Sequence, residues 1–244
     1  MGIHYIEDTK LKEITDAIKF KNKMAEDETF SGADMAELIK ERKLFKKMFS
    51  SETPVDGIYY EITAEDLEGI TYLRSYAFYG VRWIKKITMP ETITDWNNNV
   101  FNSCTNLEEV HLPSNINTGT GTSGFAYCYN LKKINVENIK EVESTAFGKC
   151  YVLEKLDFHK VTNIAASGFS ECNALKTLII RTGSVCKLAN INAFNSTPIA
   201  KGTGFIYVPS SLKAEYETAT NWTTYAAQLR AIEDYPEICG GVSE

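Results

Sequence analysis

The chain has 244 residues, 43% of them hydrophobic and 24% charged, which is enough to bury a substantial core and carry a small appendage. Its net charge of -6 at pH 7, with no block of Lys and Arg, argues against nucleic acid or acidic lipid as a partner, because either needs clustered cations to displace counterions. The opening MGIHYIEDTK lacks the basic-then-apolar order of a secretory signal, Ile6 stands where a myristoylation motif needs Ser or Thr, and no apolar run could span a bilayer. The expectation is a protein neither exported by the cell that makes it nor inserted into a membrane.

Residues 1–50 read as two helices. Leu11, Ile14 and Ile18 fall at helical spacing, and Ser31 with Asp34 fits a capping box that opens a second helix with Met35, Leu38, Ile39, Phe45 and Phe49 on its apolar side. The stretch LKEITDAIKFKNKMAEDETFSGADMAELI is similar to a short segment near the start of many phage tail-associated proteins, through Ile14, Asp16, Ala17, Ile18, Met35, Ala36 and Ile39. That resemblance implies attachment to other virion proteins through residues 1–50. The residues themselves equally describe two amphipathic helices that cover the end of the next domain, and their apolar faces also allow a homo-oligomer. Residues 51–57, with Pro54 and Gly57, read as a linker.

From residue 58 to 209 the chain repeats itself. FNSCTNLEEVHLP begins at Phe101, FAYCYNLKKINV at Phe125, FGKCYVLEKLDF at Phe147 and FSECNALKTLII at Phe169. An earlier copy, FYGVRWIKKITMP, begins at Phe78, and a later one begins at Phe194 and ends in FIYVP, at intervals of 22 to 25 residues throughout. Ile70, Ile93, Ile139 and Val161 precede their Phe by eight residues, and Leu73, Trp96, Val142 and Ile164 by five. Each copy supplies one short strand whose side chains alternate inward and outward, such as Val110 and Leu112 in, Glu109 and His111 out. Stacked copies give an α/β solenoid with a parallel sheet on one face and internal ladders of Phe78, Phe101, Phe125, Phe147, Phe169 and Phe194, and of Cys104, Cys128, Cys150 and Cys172. In the third copy INTGTGTSG replaces the apolar residue five before Phe125, which predicts a bulge or altered connection there.

This F-x-x-C-x-x-L core, followed by an apolar strand that often ends in Pro, resembles the BspA-type (Treponema pallidum-type) leucine-rich repeats. The resemblance implies a non-enzymatic surface for recognition or adhesion. Residues 210–244 then read as a helical C-terminal cap, with Leu212, Tyr216, Tyr225 and Leu229 sealing the last repeat. The closing segment resembles the ends of BspA-like proteins encoded in phages and prophages, where a YVP strand precedes a helix, an N-W-x-x-Y turn and a second helix; Tyr207, Val208, Pro209, Tyr216, Asn221, Trp222 and Tyr225 carry the similarity.

Sites for catalysis, cofactors and metals are not expected. The cysteines come one per repeat, without the close pairs of a zinc site, and read as packed thiols rather than disulfides or ligands; Cys186 and Cys239 have no evident partner. GTGTSG at Gly119 to Gly124 matches G-x-G-x-x-G in form but has no surrounding βαβ unit, so it reads as a turn rather than a phosphate cradle. His4, His111 and His159 stand in no metal spacing, and no G-x-S-x-G elbow occurs. The outward strand positions form the candidate ligand face: Lys86, Thr88, Glu109, His111, Lys133, Asn135, Lys155, Asp157, Thr177, Ile179, Phe205 and Tyr207. Three settings fit such a face. It belongs to a phage tail or baseplate protein that contacts a host surface protein or glycan, to a secreted bacterial adhesin, or to a structural or decoration protein of the virion.

Overall fold

The computed structural model describes residues 60–239, apart from 66, 68, 69, 83, 117 and 118. The two expected N-terminal helices, the linker at 51–57 and the last residues lie outside this range. The described chain winds into a solenoid in which every strand pairing is parallel.

One face is built from β1 (Tyr60–Ile62), β3 (Ile84–Thr88), β5 (Glu109–His111) and β6 (Lys133–Ile134), followed by β8 (Lys155–Phe158), β10 (Thr177–Ile180), β12 (Phe205–Val208) and β13 (Leu229–Ala231). These strands form two four-stranded sheets, and no pairing joins β6 to β8. A second face carries two-residue strands: β2 (Tyr72–Leu73) with β4 (Asp95–Trp96), and β7 (Glu141–Val142), β9 (Asn163–Ile164) and β11 (Lys187–Leu188). Leu73, Trp96, Val142 and Ile164, five before their Phe, lie in these second-face strands and point inward, as does Leu188, six before Phe194.

The ladders are present as expected. Consecutive rings from Phe78 to Phe194 lie 5.1 to 5.6 Å apart and within 10° of parallel, all almost fully buried. The cysteines are free and buried, and their role is more specific than packing. Each thiol donates to the Phe carbonyl of the preceding repeat: Cys104 to Phe78 at 3.0 Å, Cys128 to Phe101 at 3.1 Å, Cys150 to Phe125 at 3.3 Å and Cys172 to Phe147 at 2.9 Å. The same carbonyls already accept an amide within their own loop, such as Cys104 N–H on Phe101 at 3.1 Å, so the thiol fills the second lone pair. A small, apolar side chain with one weak donor is what that buried position needs.

The third repeat departs as expected, and the second face breaks between β4 and β7 because of it. Thr120 takes the place of the apolar residue and is buried; its amide donates to the Glu141 carbonyl at 3.0 Å and its hydroxyl accepts the Glu143 amide at 3.0 Å. Gly121 has φ +69°, and a Cβ there would stand 2.6 Å from the Asn97 carbonyl oxygen. At Gly124 a Cβ would stand 2.0 Å from the Thr120 carbonyl oxygen. Close backbone approach explains these glycines.

The C-terminal cap is only partly helical. Helix α1 (Ser210–Thr218) and a 3-10 segment over Trp222–Gln228 cover the last loop, but the expected second helix is replaced by strand β13. Leu229 and Ala231 face the core beside Ile206 and Val208, so a period of two, rather than a helical one, governs this stretch. The N-W-x-x-Y turn acts through hydrogen bonds. Asn221, in the left-handed region at φ 66°, donates to the Leu188 carbonyl at 2.8 Å, the Trp222 indole donates to the Cys186 carbonyl at 2.6 Å, and the Tyr225 hydroxyl donates to the Ile191 carbonyl. The Tyr216 hydroxyl accepts the Cys186 amide at 2.8 Å, so both backbone groups of Cys186 are held by the cap. Tyr225 meets Phe194 edge-on and ends the ring ladder.

Candidate functional site: the strand face

The outward positions have the predicted register. Lys86, Glu109 and Lys133 stand opposite one another, Thr88 faces His111, and Lys155, Thr177 and Phe205 align, as do Asp157, Ile179, Tyr207 and Arg230. Their surroundings differ along the solenoid. Lys133 and Lys155 are exposed, and Lys86, Thr88, Glu109, His111, Asn135, Asp157, Thr177 and Phe205 are half-buried. Ile179 and Tyr207, expected to meet solvent, are 0% and 3% exposed.

The chain's own tail covers them. After β13 a 3-10 turn (Ile232–Asp234) and the single-turn helix α2 (Pro236–Cys239) fold back over the sheet, and Ile232, Tyr235 and Ile238 pack with Ile179, Phe205 and Tyr207. The Tyr235 ring meets Tyr207 edge-on at 5.4 Å, the Arg230 guanidinium sits 4.3 Å above the Phe205 ring, and the Lys155 ammonium donates to the Ile238 carbonyl at 2.5 Å. Two apolar residues at outward positions are thereby removed from water by a segment lying far along the chain.

The open half holds a groove of about 380 Å³ where β6 and β8 part. Glu109, His111, Lys133, Asn135, Lys155 and Asp157 line it, joined by Lys132 and Glu137. Asn135 ends β6 on its β5 side, at one wall of the groove. Its side-chain oxygen accepts the Leu112 amide at 2.6 Å and its side-chain nitrogen donates to the Leu112 carbonyl at 3.0 Å, so a side chain takes the place of the next backbone pairing and β6 stops at Ile134.

Charges around the groove are largely paired. The His111 ring nitrogen lies 2.7 Å from a Glu109 oxygen, Asp157 accepts the Arg181 guanidinium in a fork at 2.8 and 2.9 Å, and His159 stands 3.5 Å from Asp157. At the rim the Lys132 ammonium bonds Glu108 at 2.7 Å with Lys85 at 3.2 Å, which holds the Glu108 carboxyl below its usual range. Such a groove can hydrogen-bond a polar ligand of either sign. Among the described residues no group of three or more His, Cys, Asp or Glu is placed to hold a metal ion.

Glu137, His159 and Arg181 were missed as face residues although the alternation that gives Lys133 and Asn135, Lys155 and Asp157, and Thr177 and Ile179 reaches them after one more step of two. Lys132 carries no such signal; it enters the groove because the chain turns ahead of β6.

A family model described as the BspA type leucine rich repeat region matches residues 60–150 and 118–214, in six copies. The chain belongs to this family. As a BspA-type repeat protein it is a member of a family of recognition and surface proteins. No curated protein matches it. Among solved structures it is similar to a leucine rich cell surface protein from Faecalibacterium prausnitzii, at 26% identity over 55% of this chain and 34% of that one, with a TM-score of 0.47. A leucine-rich repeat protein from Bacteroides ovatus matches at 20% identity over 57% of this chain and 43% of that one, with a TM-score of 0.38. The leucine-rich repeat protein of T. pallidum matches at 17% identity over 64% and 81%, with a TM-score of 0.40. The BspA-type chain described here therefore spans well under two thirds of the first two proteins.

Proposed function

We propose that this BspA-type chain is a non-enzymatic recognition module, carried on a bacteriophage tail or baseplate, that contacts the surface of the host cell. The observation that carries recognition is the open half of the strand face, where neighbouring repeats form a groove of about 380 Å³ that combines charged side chains with the apolar surface of Ile134 and Val136. The phage setting is supported by the two flanking sequence segments: the Ile14 to Ile39 stretch, which resembles the start of tail-associated proteins, and the N-W-x-x-Y segment at Asn221 to Tyr225. In this reading residues 1–50 dock on other virion proteins and the solenoid faces outward.

A second reading, a secreted bacterial adhesin, is supported by the family match itself. Imaging purified particles with a label on the C-terminus separates the two. A distal tail position favours receptor contact, and absence from particles together with exposure on intact bacteria favours the adhesin. If particles carrying Lys133→Glu with Asp157→Lys adsorb to host cells as well as the parent, the groove is not the contact surface. Adsorption that survives masking of the whole solenoid indicates a decoration role.

A further inference from the structure

We infer that the loop edge of the solenoid, distinct from the strand face, is a binding platform for an extended, uncharged polysaccharide running along the solenoid axis. The inference rests on the recognition reading above and assigns it a second surface and a ligand class.

The edge is a rigid hydrogen-bonded ladder. Gly80 donates to the Asn102 carbonyl at 2.8 Å, Ser103 to Ala126 at 2.8 Å, Tyr127 to Gly148 at 2.7 Å and Lys149 to Ser170 at 2.9 Å. The residue two after the Phe adopts left-handed backbone in all six repeats, and the residue two before it does so in the first five. Those rows hold mainly Ser, Thr, Asn and Gly, but Tyr76 has φ 66° and Tyr127 φ 62°. A bulky side chain there costs about 1 kcal/mol or more, and both rings stay exposed, at 52% and 38%. Thr145, Lys149 and Glu171 share that backbone, so what sets Tyr76 and Tyr127 apart in these rows is a large ring left in contact with water.

These rings do not stand alone. Tyr79, 52% exposed, meets Tyr76 edge-on at 5.5 Å. Two repeats along, the Lys149 ammonium lies 5.0 Å over Tyr127, and Tyr129 stacks on Tyr151 at 5.0 Å. Between the two aromatic groups lie Asn99 and Ser103 of the second repeat, half-buried and held in place by the buried Asn102, which donates to Asn99 at 3.0 Å and accepts from Ser103 at 2.7 Å. Lys149 pairs with Glu171 at 3.8 Å, so its charge is offset. Aromatic rings flanking fixed amides and hydroxyls suit a polyol, whose apolar ring faces stack and whose hydroxyls bond.

Spacing decides between polymers. Successive repeats step by 5.1 to 5.6 Å at the buried Phe column, and the edge, two residues away and bonded from repeat to repeat, follows about that step. An extended peptide repeats its same-face side chains every 6.7 Å or so, and drifts out of register within a few repeats. The monomer repeat of an extended pyranose chain is close to the ladder step. Nucleic acid is excluded because the edge offers no cluster of cations.

The test is isothermal titration of the full chain with cello-, xylo-, manno- and chito-oligosaccharides of increasing length, alongside binding to whole bacterial cells. One series is expected to bind more tightly with each added sugar, with Tyr127→Ala or Tyr79→Ala weakening it about tenfold at an unchanged melting temperature. Lys133→Glu on the strand face should leave that binding intact. Binding of no oligosaccharide, or binding that both tyrosine variants leave unchanged, overturns the inference. If cells are still bound in that case, recognition stands and the ligand is a protein or the site is the groove; if neither is bound, the recognition reading fails as well.

Discussion

The two halves of the strand face have the same construction and opposite fates. From β1 to β6 the outward residues meet solvent and end in a charged groove; from β10 to β13 they lie under Ile232, Tyr235 and Ile238 of the same chain. Alternation fixes the side of the sheet on which a residue stands. It does not fix what occupies the space above, and the apolar character of Ile179 and Tyr207, so close to a polar array, was the one hint that something covers them.

The comparison is sharpest if the halves fold as one unit, and the thiol column that runs beneath both tests this. Burial pushes the thiols of Cys104 and Cys186 up to about 12 and those of Cys128 and Cys150 well above the usual range. Folded, they keep their protons; unfolded, they lose them above about 8.5. Their contribution to stability is therefore complete below that pH and is lost as the pH rises toward 12. Urea midpoints by circular dichroism should hold steady from neutral pH to about 8, then fall steeply, with one transition for the whole molecule. Two separate transitions would split the halves into independent units.

Phe147 sits where the halves meet, between Phe125 and Phe169. Truncating it in Phe147→Ala should cost about 3–5 kcal/mol through lost burial and an unfilled cavity. A loss under 1 kcal/mol or so would mean that the ladder collapses around the gap. Asn135→Ala acts on the same junction from the surface. It leaves both Leu112 backbone groups without their side-chain partner, and should cost about 1–3 kcal/mol by urea denaturation. An unchanged midpoint would show that water or the backbone takes over both Leu112 groups.

The covered half can be opened deliberately. Tyr235→Ala with Ile238→Ala should lower stability by about 1–2 kcal/mol, increase binding of a hydrophobic dye and promote self-association through Ile179 and Tyr207. If dye binding does not change, the tail stays seated without those side chains. Glu108→Gln should have the smallest effect, below about 1 kcal/mol and vanishing in high salt, since the Lys85 and Lys132 pairs are partly exposed.

Most of the solenoid was legible in the sequence because its determinants are periodic. Phe, Cys, Leu and the alternating strand positions recur at near-constant spacing, and the odd third copy announced its break through Gly121 and Gly124. What escaped was set by single contacts between distant residues. The segment at Leu229 to Ala231 follows a 3-10 turn and contains helix-forming residues, yet pairing with β12 makes it a strand. At one wall of the groove the strand pairing gives way to the side-chain amide of Asn135, whose partners lie in the preceding repeat. Nothing in the local sequence distinguishes that Asn from any other polar residue on an outward row.

The tail that reaches from β13 back to Lys155 acts as a ruler. Its described part runs from β13 across β12 and β10 to Lys155 of β8, with its apolar side chains set on Ile179, Phe205 and Tyr207. Repeats upstream of β8 can be duplicated or deleted by recombination without disturbing that fit, because each touches only its neighbours. From β8 onward a change in repeat number would leave the tail short or overlong. The C-terminal repeats and their strap thus fit one another as a set, while each upstream repeat is fitted only to its two neighbours.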